Sequence, residues 1–197
     1  MTRFVVQLAS PDVPRDSFGA KPKTIYRAGT TYCRVEEEPD PASGTHGLVI
    51  INEPDMWMVD LADHTARHFV NDGPDLNCHM PVFGDRLSGI PEEDAKEIGG
   101  LEFGFEMEFF KSHRAVRQPG PILQWHEQPR QTIGYKLQFG DWMVALFTDG
   151  DPERPVAVAM FHGDEHSTYY YSGYGQMDFD ATLFAKPSGA KIEEAKQ

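Results

Sequence analysis

Between Lys23 and Val70 the chain is a succession of extended segments, each closed by its own turn residues. Thr24–Arg27 leads through Ala28-Gly29 into Thr31–Glu37, and Pro39–Gly44 interrupts the pattern. His46–Asn52 is turned by Glu53-Pro54-Asp55 into Met56–Leu61, and Ala62-Asp63-His64 turns that segment into Ala66–Val70. β-branched and aromatic residues at this spacing, punctuated by Gly, Pro and Asp, describe an antiparallel meander. The meander constrains the fold class and leaves the chemistry open.

The rest of the chain extends the same reading. Thr2–Ala9 alternates as a strand, and Ser10–Lys23, with Pro11, Pro14 and Pro22, reads as a loop or edge segment. In the meander Leu48 and Ile50 share one face and Val49 and Ile51 the other, so this strand is expected to be covered on both sides. Asn71–Ser88 has no period and is a long connection, a length at which loops are usually functional or mobile. Pro91 fits a first helical position, Glu92, Glu93 and Asp94 suit the positive end of the dipole, and Gly99-Gly100 stops the helix. Leu101, Phe105 and Phe109 then recur at helical spacing, widened by Phe103, Met107 and Phe110, and predict a helix over Leu101–Lys111 packed on the sheet. Strands resume at Ile122–Gln128, Gln131–Phe139, Trp142–Thr148, Val156–His162 and Thr168–Tyr174, with Phe184–Ile192 as a last strand before a polar tail. Gly140-Asp141 is the two-residue loop, Gly first, that a type II′ hairpin wants. The expected architecture is mainly β (α+β): about ten strands in a strongly curved antiparallel sheet or incomplete barrel, covered by one or two helices, in a single domain over residues 1–197.

Charge narrows the partners. Lys plus Arg number 18 against 31 Asp plus Glu, a net charge of -13, which repels phosphate backbones and anionic lipid surfaces and excludes nucleic acid as a natural partner. No apolar run approaches the roughly 18–20 residues that span a bilayer. Phe4–Ala9 is too short for the core of a signal peptide, so the chain is expected to be either cytoplasmic or a mature exported domain. Cys33 and Cys78 either form one bridge in an oxidising compartment or serve as small buried apolar residues.

Candidate chemistry is sparse. His64 and His68 flank a turn and enter a strand. His162-Gly163-Asp164-Glu165-His166 is rich in ligand types, but its Gly falls in a hairpin turn and it lacks the helical frame that aligns two imidazoles on zinc. No metal and no cofactor is therefore expected. No phosphate-cradling glycine loop or nucleophile elbow occurs, and no pair among the acids singles itself out for acid/base work. The aromatic and methionine residues of the amphipathic strands are more informative. Trp57, Trp142, Phe69, Tyr26 and Phe147, with Met56, Met58, Met143 and Met160, either fill the core or line a pocket for a ligand of variable shape. With the helix contributing Phe105 and Phe109, the candidate cavity is Trp57, Phe69, Phe105, Phe109, Trp142 and Met143.

Three segments, "IYRAGTTYCRVE", "GLVIINEPDMWMVDL" and the closing "LFAKPSGAKIEE", resemble the lipoprotein-carrier superfamily of LolA and LolB type. That family shows a Gly turn with an Arg on the following strand, an apolar strand turning into a Trp-containing one, and a last strand near Pro-x-Gly. The resemblance implies an incomplete antiparallel barrel whose helices cover an apolar cavity for acyl chains, at work in the bacterial periplasm. The functional expectation is a binding protein sheltering an acyl chain or a lipoprotein, periplasmic or envelope-associated, with an envelope protein as a further partner. An enzyme on the same scaffold, using a His or carboxylate at the cavity mouth, and an assembly domain without a small ligand are the alternatives.

Overall fold

The computed structural model describes residues 1–15, 17–125 and 128–194. Among them, in chain order, are β1 Thr2–Ala9, β2 Lys23–Ala28, β3 Tyr32–Glu37, β4 Gly47–Asn52, β5 Asp55–Asp60, β6 Thr65–Val70, α1 Glu92–Gly99, α2 Glu106–Ser112, β7 Val116–Trp125, β8 Gln128–Phe139, β9 Trp142–Asp149, β10 Arg154–His162, β11 Glu165–Gln176 and β12 Lys191–Glu194. Short 3-10 turns stand at Phe18–Ala20, Gly84–Arg86 and Ala181–Phe184. The mainly antiparallel β architecture with two short helices is the one the sequence pattern describes. The chain gathers into two compact units, Met1–Val6 with Lys21–His79 and Gly173–Gln197, and Gln7–Ala20 with Met80–Ser172.

In the first unit the strands follow the order β12-β6-β5-β4-β3-β2-β1, a series that does not close on itself. All neighbours are antiparallel except β12, which runs parallel to β6. Alternation sends Trp57 and Val59 inward and leaves Met58 49% exposed on the opposite face of β5. Leu48, Ile50, Trp57, Val59, Ala66 and Phe184 form one core, with Ile192 against it. On β4, Leu48 and Ile50 are buried while Val49 and Ile51 are half-buried, so one face is closed and the other only partly covered. The strand expected over Phe184–Ile192 is replaced by the turn at Ala181–Phe184 and the shorter β12. Pro187 and a left-handed Gly189 (φ +80) break the extended backbone, and Phe184 packs its ring against Tyr32 and Phe179.

Cys33 and Cys78 are joined in a disulfide, their Cα atoms 6.3 Å apart. It fastens the segment after β6 to β3. The Cys78 N–H donates to the Thr30 carbonyl at 2.6 Å, and Arg27 Nη2 donates to the Cys78 carbonyl at 2.9 Å, so backbone and side-chain bonds hold the same place. At the β12 edge of this sheet His68 clamps the parallel strand. Its Nε2 lies 2.7 Å from Asp55 Oδ1 on β5 and its Nδ1 2.7 Å from Glu194 Oε2 on β12. The ring stacks on Trp57 at 5.2 Å. The hydrogen bond to Asp55 raises the His68 pKa above its usual value, burial opposes this, and Glu194 adds to the rise.

In the second unit the order is β11-β10-β9-β8-β7, all antiparallel. Phe139 pairs with Trp142 across the Gly140-Asp141 loop, and Gly140 alone there takes a left-handed φ, +53, as the expected hairpin requires. β9 and β10 carry near-continuous buried runs, Val144–Phe147 and Val156–Met160, so both faces are covered. Pro91 precedes α1 as its N-cap rather than serving as its first residue. The helix expected over Leu101–Lys111 is shorter: α2 starts at Glu106. The backbone of Leu101–Phe103 pairs instead with Met80–Val82, Val82 N donating to Leu101 O at 2.8 Å and Phe103 N to Met80 O at 3.0 Å. Gly104 (φ +87) then turns the chain, and the buried Glu106 accepts from Gly104 N–H and from the Tyr171 hydroxyl at 2.8 and 2.7 Å. Helix α2 lies against β8 and β9.

Two expectations follow. Replacing Cys33 by Ser is expected to lower the unfolding free energy by about 2–5 kcal/mol, read in urea melts, with reductant producing the same loss in the wild type; an unchanged midpoint would count against the bridge. Because the His68 pKa is raised in the folded state, its contribution is fully present below the unfolded value of about 6.5 and is lost as pH rises through the higher folded value. The stability difference between wild type and His68→Gln should therefore shrink over that interval. A difference growing with pH would contradict the assignment.

Candidate functional site

The second unit carries two clefts, set against opposite faces of β11. Pairing of Met160 with Ser167 and of His162 with Glu165 puts these four on one face, joined by Trp142 opposite His162. They form one wall of a cleft of ≈ 400 Å³. Its other wall comes from Ser10, Pro11 and Asp12 and from the turn that carries Asp85, Arg86 and Ser88. His166, Thr168 and Tyr170 alternate onto the other face and border a larger cleft of ≈ 700 Å³, with Leu8, Ala9, Val13, Pro14, Ala20 and Arg15 among its lining residues. Ser10, Pro11 and His166 line both, so the clefts adjoin where the β10–β11 hairpin meets the turn after β1. That turn is local chemistry. Val13 N donates to Ser10 O at 3.2 Å, and Pro11 and Pro14 cannot continue a ladder.

Arg86 is the fixed charge of the smaller cleft. Its Nη1 donates to Ser167 Oγ at 3.1 Å, to Ser10 Oγ at 3.3 Å and to both Asp12 carboxylate oxygens at 3.1 and 3.2 Å. Ser10 and Ser167 share a hydrogen bond of 2.9 Å, and Ser10 also donates to Asp12. The Ser10 hydrogen bond lowers the Asp12 pKa, desolvation opposes it, and Arg86 lowers it further, so Asp12 is ionised. Behind Arg86, Tyr169 packs on Phe83 and Phe103. Burial pushes its phenol up to about 12, Asp85 adds to the shift and Arg86 opposes it, so Tyr169 is neutral at ordinary pH.

The histidines of this hairpin are stacked. His162 lies parallel to Trp142 at 4.2 Å and His166 near-parallel to Phe161 at 5.7 Å. The serine hydroxyls bond to each other, to Asp12 and to Arg86, so the His–Ser contact that activates a nucleophile is not formed. Among the described residues no group of three or more His, Cys, Asp or Glu side chains is placed to hold a metal ion.

The six aromatic and methionine candidates are dispersed. Trp57 is 5% exposed in the core of the first unit, stacked on His68, and Phe69 is half-buried on β6 opposite Met56. In the second unit Phe105 is the N-cap of α2, and Phe109 is buried against Phe110 and His113. Met143 is half-buried on β9 opposite Phe161. Trp142 lines the smaller cleft. Sequence reasoning passed over Arg86, Ser10 and Ser167. The available signal was position: Arg86 falls in the aperiodic Asn71–Ser88 connection and Ser10 opens the proline-rich loop.

No protein-family profile and no curated protein matches the chain. Among solved structures it is similar to an uncharacterized conserved protein from Thermus thermophilus, with a TM-score of 0.48 and 11% identity over 98% of this chain and 90% of that one. It is also similar to a LolA superfamily protein from Nitrosomonas europaea, with a TM-score of 0.34 and 12% identity over 94% of this chain and 89% of that one. Among the described residues no helix is long and apolar enough to cross a membrane.

Phe109, a buried residue of α2, is expected to cost about 3–5 kcal/mol when replaced by Ala, measured by urea unfolding. A loss below about 1 kcal/mol would place the ring in open space.

Proposed function

We propose that the chain is a binding protein that shelters an acyl chain or similar amphiphile in the clefts of its second unit. The observation that carries this reading is the pair of adjoining clefts, ≈ 400 and ≈ 700 Å³, within the range of about 300–1,000 Å³ typical of small-molecule sites. Leu8, Ala9, Val13, Pro14 and Ala20 give the larger one an apolar wall, and Trp142 and Met160 give the smaller one another. About sixteen buried methylenes at ~0.8 kcal/mol each exceed the ~8 kcal/mol of micromolar affinity by enough to offset an association cost of ~4 kcal/mol. Of the aromatic candidates, Trp142 is retained as part of the site.

The reading places the protein in the bacterial periplasm or envelope, with a hydrophobic small molecule as first partner and an envelope protein as donor or acceptor of the cargo. The Cys33–Cys78 disulfide supports an oxidising compartment, and the LolA-like sequence segments support the carrier role. A second reading, an enzyme acting on an apolar substrate at the same place, is favoured by two histidines and three serines in one cleft. It ranks below the first because within this cleft the hydroxyls of Ser10 and Ser167 engage Asp12, Arg86 and each other rather than His162 or His166.

The uncharged probe N-phenyl-1-naphthylamine is expected to bind the intact chain with a micromolar dissociation constant and to be displaced by palmitate. Val13→Glu, which puts a charge into the larger cleft, should weaken it at least about tenfold, or ~1.4 kcal/mol. A folded wild-type chain that binds no probe would defeat the carrier reading. Hydrolysis of a chromogenic ester, abolished by His166→Ala, would promote the enzyme.

A further inference from the structure

We propose that the smaller cleft receives a carboxylate headgroup, held by Arg86 with the hydroxyls of Ser10 and Ser167, and that Asp12 occupies this place in the free protein. The inference rests on the binding reading above and names its ligand class: an amphiphilic monocarboxylic acid, tail along the Leu8, Val13 and Ala20 wall of the larger cleft and acid on Arg86.

Beyond a hydrogen-bonding contact with the Tyr169 phenol, the guanidinium of Arg86 is only partly used as it stands. It has five N–H donors arranged as a fork that matches a carboxylate through two nitrogens. All four hydrogen bonds it makes to Ser10, Asp12 and Ser167 converge on Nη1, and Nε is buried with no hydrogen-bond partner. Asp12 brings both its oxygens to that single nitrogen, so the two-nitrogen fork is not formed. An external carboxylate is not tethered to the turn after β1 and is free to meet Nη1 and Nη2 end-on, beside the two serines and away from the buried Nε.

The two partners of the ion pair differ in how firmly they are held. The Arg86 side chain is 14% exposed and the Asp12 side chain 69% exposed. Exposed ion pairs contribute little to stability, because water solvates the released carboxylate almost as well. Asp12 is therefore the exchangeable member, and releasing it to solvent frees a cation already oriented by two hydroxyls. In the free protein Ser10 donates to Asp12, which leaves Ser167 to donate to Ser10, and both hydroxyls can rotate to donate to an incoming carboxylate.

The rim selects among anions. Asp85 and Glu165 border the same cleft, and with Arg86 as its lone Lys or Arg they make it hostile to a dianion. Exchanging the Asp12 carboxylate for one ligand carboxylate conserves the charge around Arg86. Bringing in a phosphate monoester would add negative charge beside Asp85 and Glu165. An acid with an apolar tail satisfies both clefts, because Ser10, Pro11 and His166 line each of them.

The experiment compares dansyl-undecanoic acid with its methyl ester on the intact protein by fluorescence titration. The acid is expected to bind at least about tenfold more tightly, ~1.4 kcal/mol. Arg86→Gln should abolish that preference and leave the ester unaffected in rank, Asp12→Asn should tighten the acid several-fold by removing its competitor, and dodecyl phosphate should displace the acid less well than dodecanoate does. Equal affinity for acid and ester in the wild type would overturn the carboxylate assignment while leaving the binding reading intact; failure of both probes on a folded chain would sink the binding reading itself. A preference that survives Arg86→Gln, or that is lost instead on Arg15→Gln, would put the anion elsewhere. Should Arg86→Gln fail to melt cooperatively, Asp12→Asn decides: an unchanged or weakened acid affinity overturns the proposal.

Discussion

The pairing of Met160 with Ser167 and His162 with Glu165 determines which chemistry each face of β11 presents. The hairpin that sets it turns at Gly163, whose left-handed φ of +60 an L side chain rarely adopts. A slip of one residue would send Ser167 and Glu165 to the face now held by His166, Thr168 and Tyr170. Arg86 would then lose Ser167, and the larger cleft would gain a carboxylate. Burial on both faces of β9 and β10 resists that slip, since any shift would bring the polar ends of these strands into the core. Packing in the hairpin's neighbours thus stabilises the polar arrangement at its tip.

Much of the strand pattern was legible because local rules and tertiary structure agree there. Thr24–Arg27 and Ala66–Val70 lie inside β2 and β6, and the Gly140-Asp141 turn forms where its Gly demands it. The misses arise where backbone groups are claimed by distant partners. Leu101, Phe105 and Phe109 have helical spacing, yet the backbone at Leu101 and Phe103 is bonded to Val82 and Met80, a pairing no short-range periodicity reveals. Phe184 looked like a strand residue because it is large and apolar; it is buried from a 3-10 turn instead. The disulfide was open for the same reason, since spacing of 45 residues says nothing about whether two Cα atoms approach.

The site was less legible than the fold. Aromatic content drew attention to Trp142, which lines the smaller cleft, and equally to Trp57, which is enclosed in a core. Composition alone does not separate a wall from a filling. Arg86 is one of 18 basic residues in a chain of net charge -13, and only its placement beside Ser10, Asp12 and Ser167 distinguishes it. The acidic balance of the chain bears on how one half-buried cation can select a monoanion: Asp85 and Glu165 raise the energy of any more highly charged ligand.

Photo-cross-linking with a diazirine-bearing palmitic acid, followed by mass spectrometry of the labelled peptides, tests most directly whether the clefts of the second unit hold an acyl chain. The expected labels fall in Gln7–Ala20 and in the Glu165–Ser172 stretch of β11, and excess unlabelled palmitate suppresses them. Labels confined to Lys21–His79, around Trp57 and Phe69, would contradict the assignment and move the ligand to the first unit.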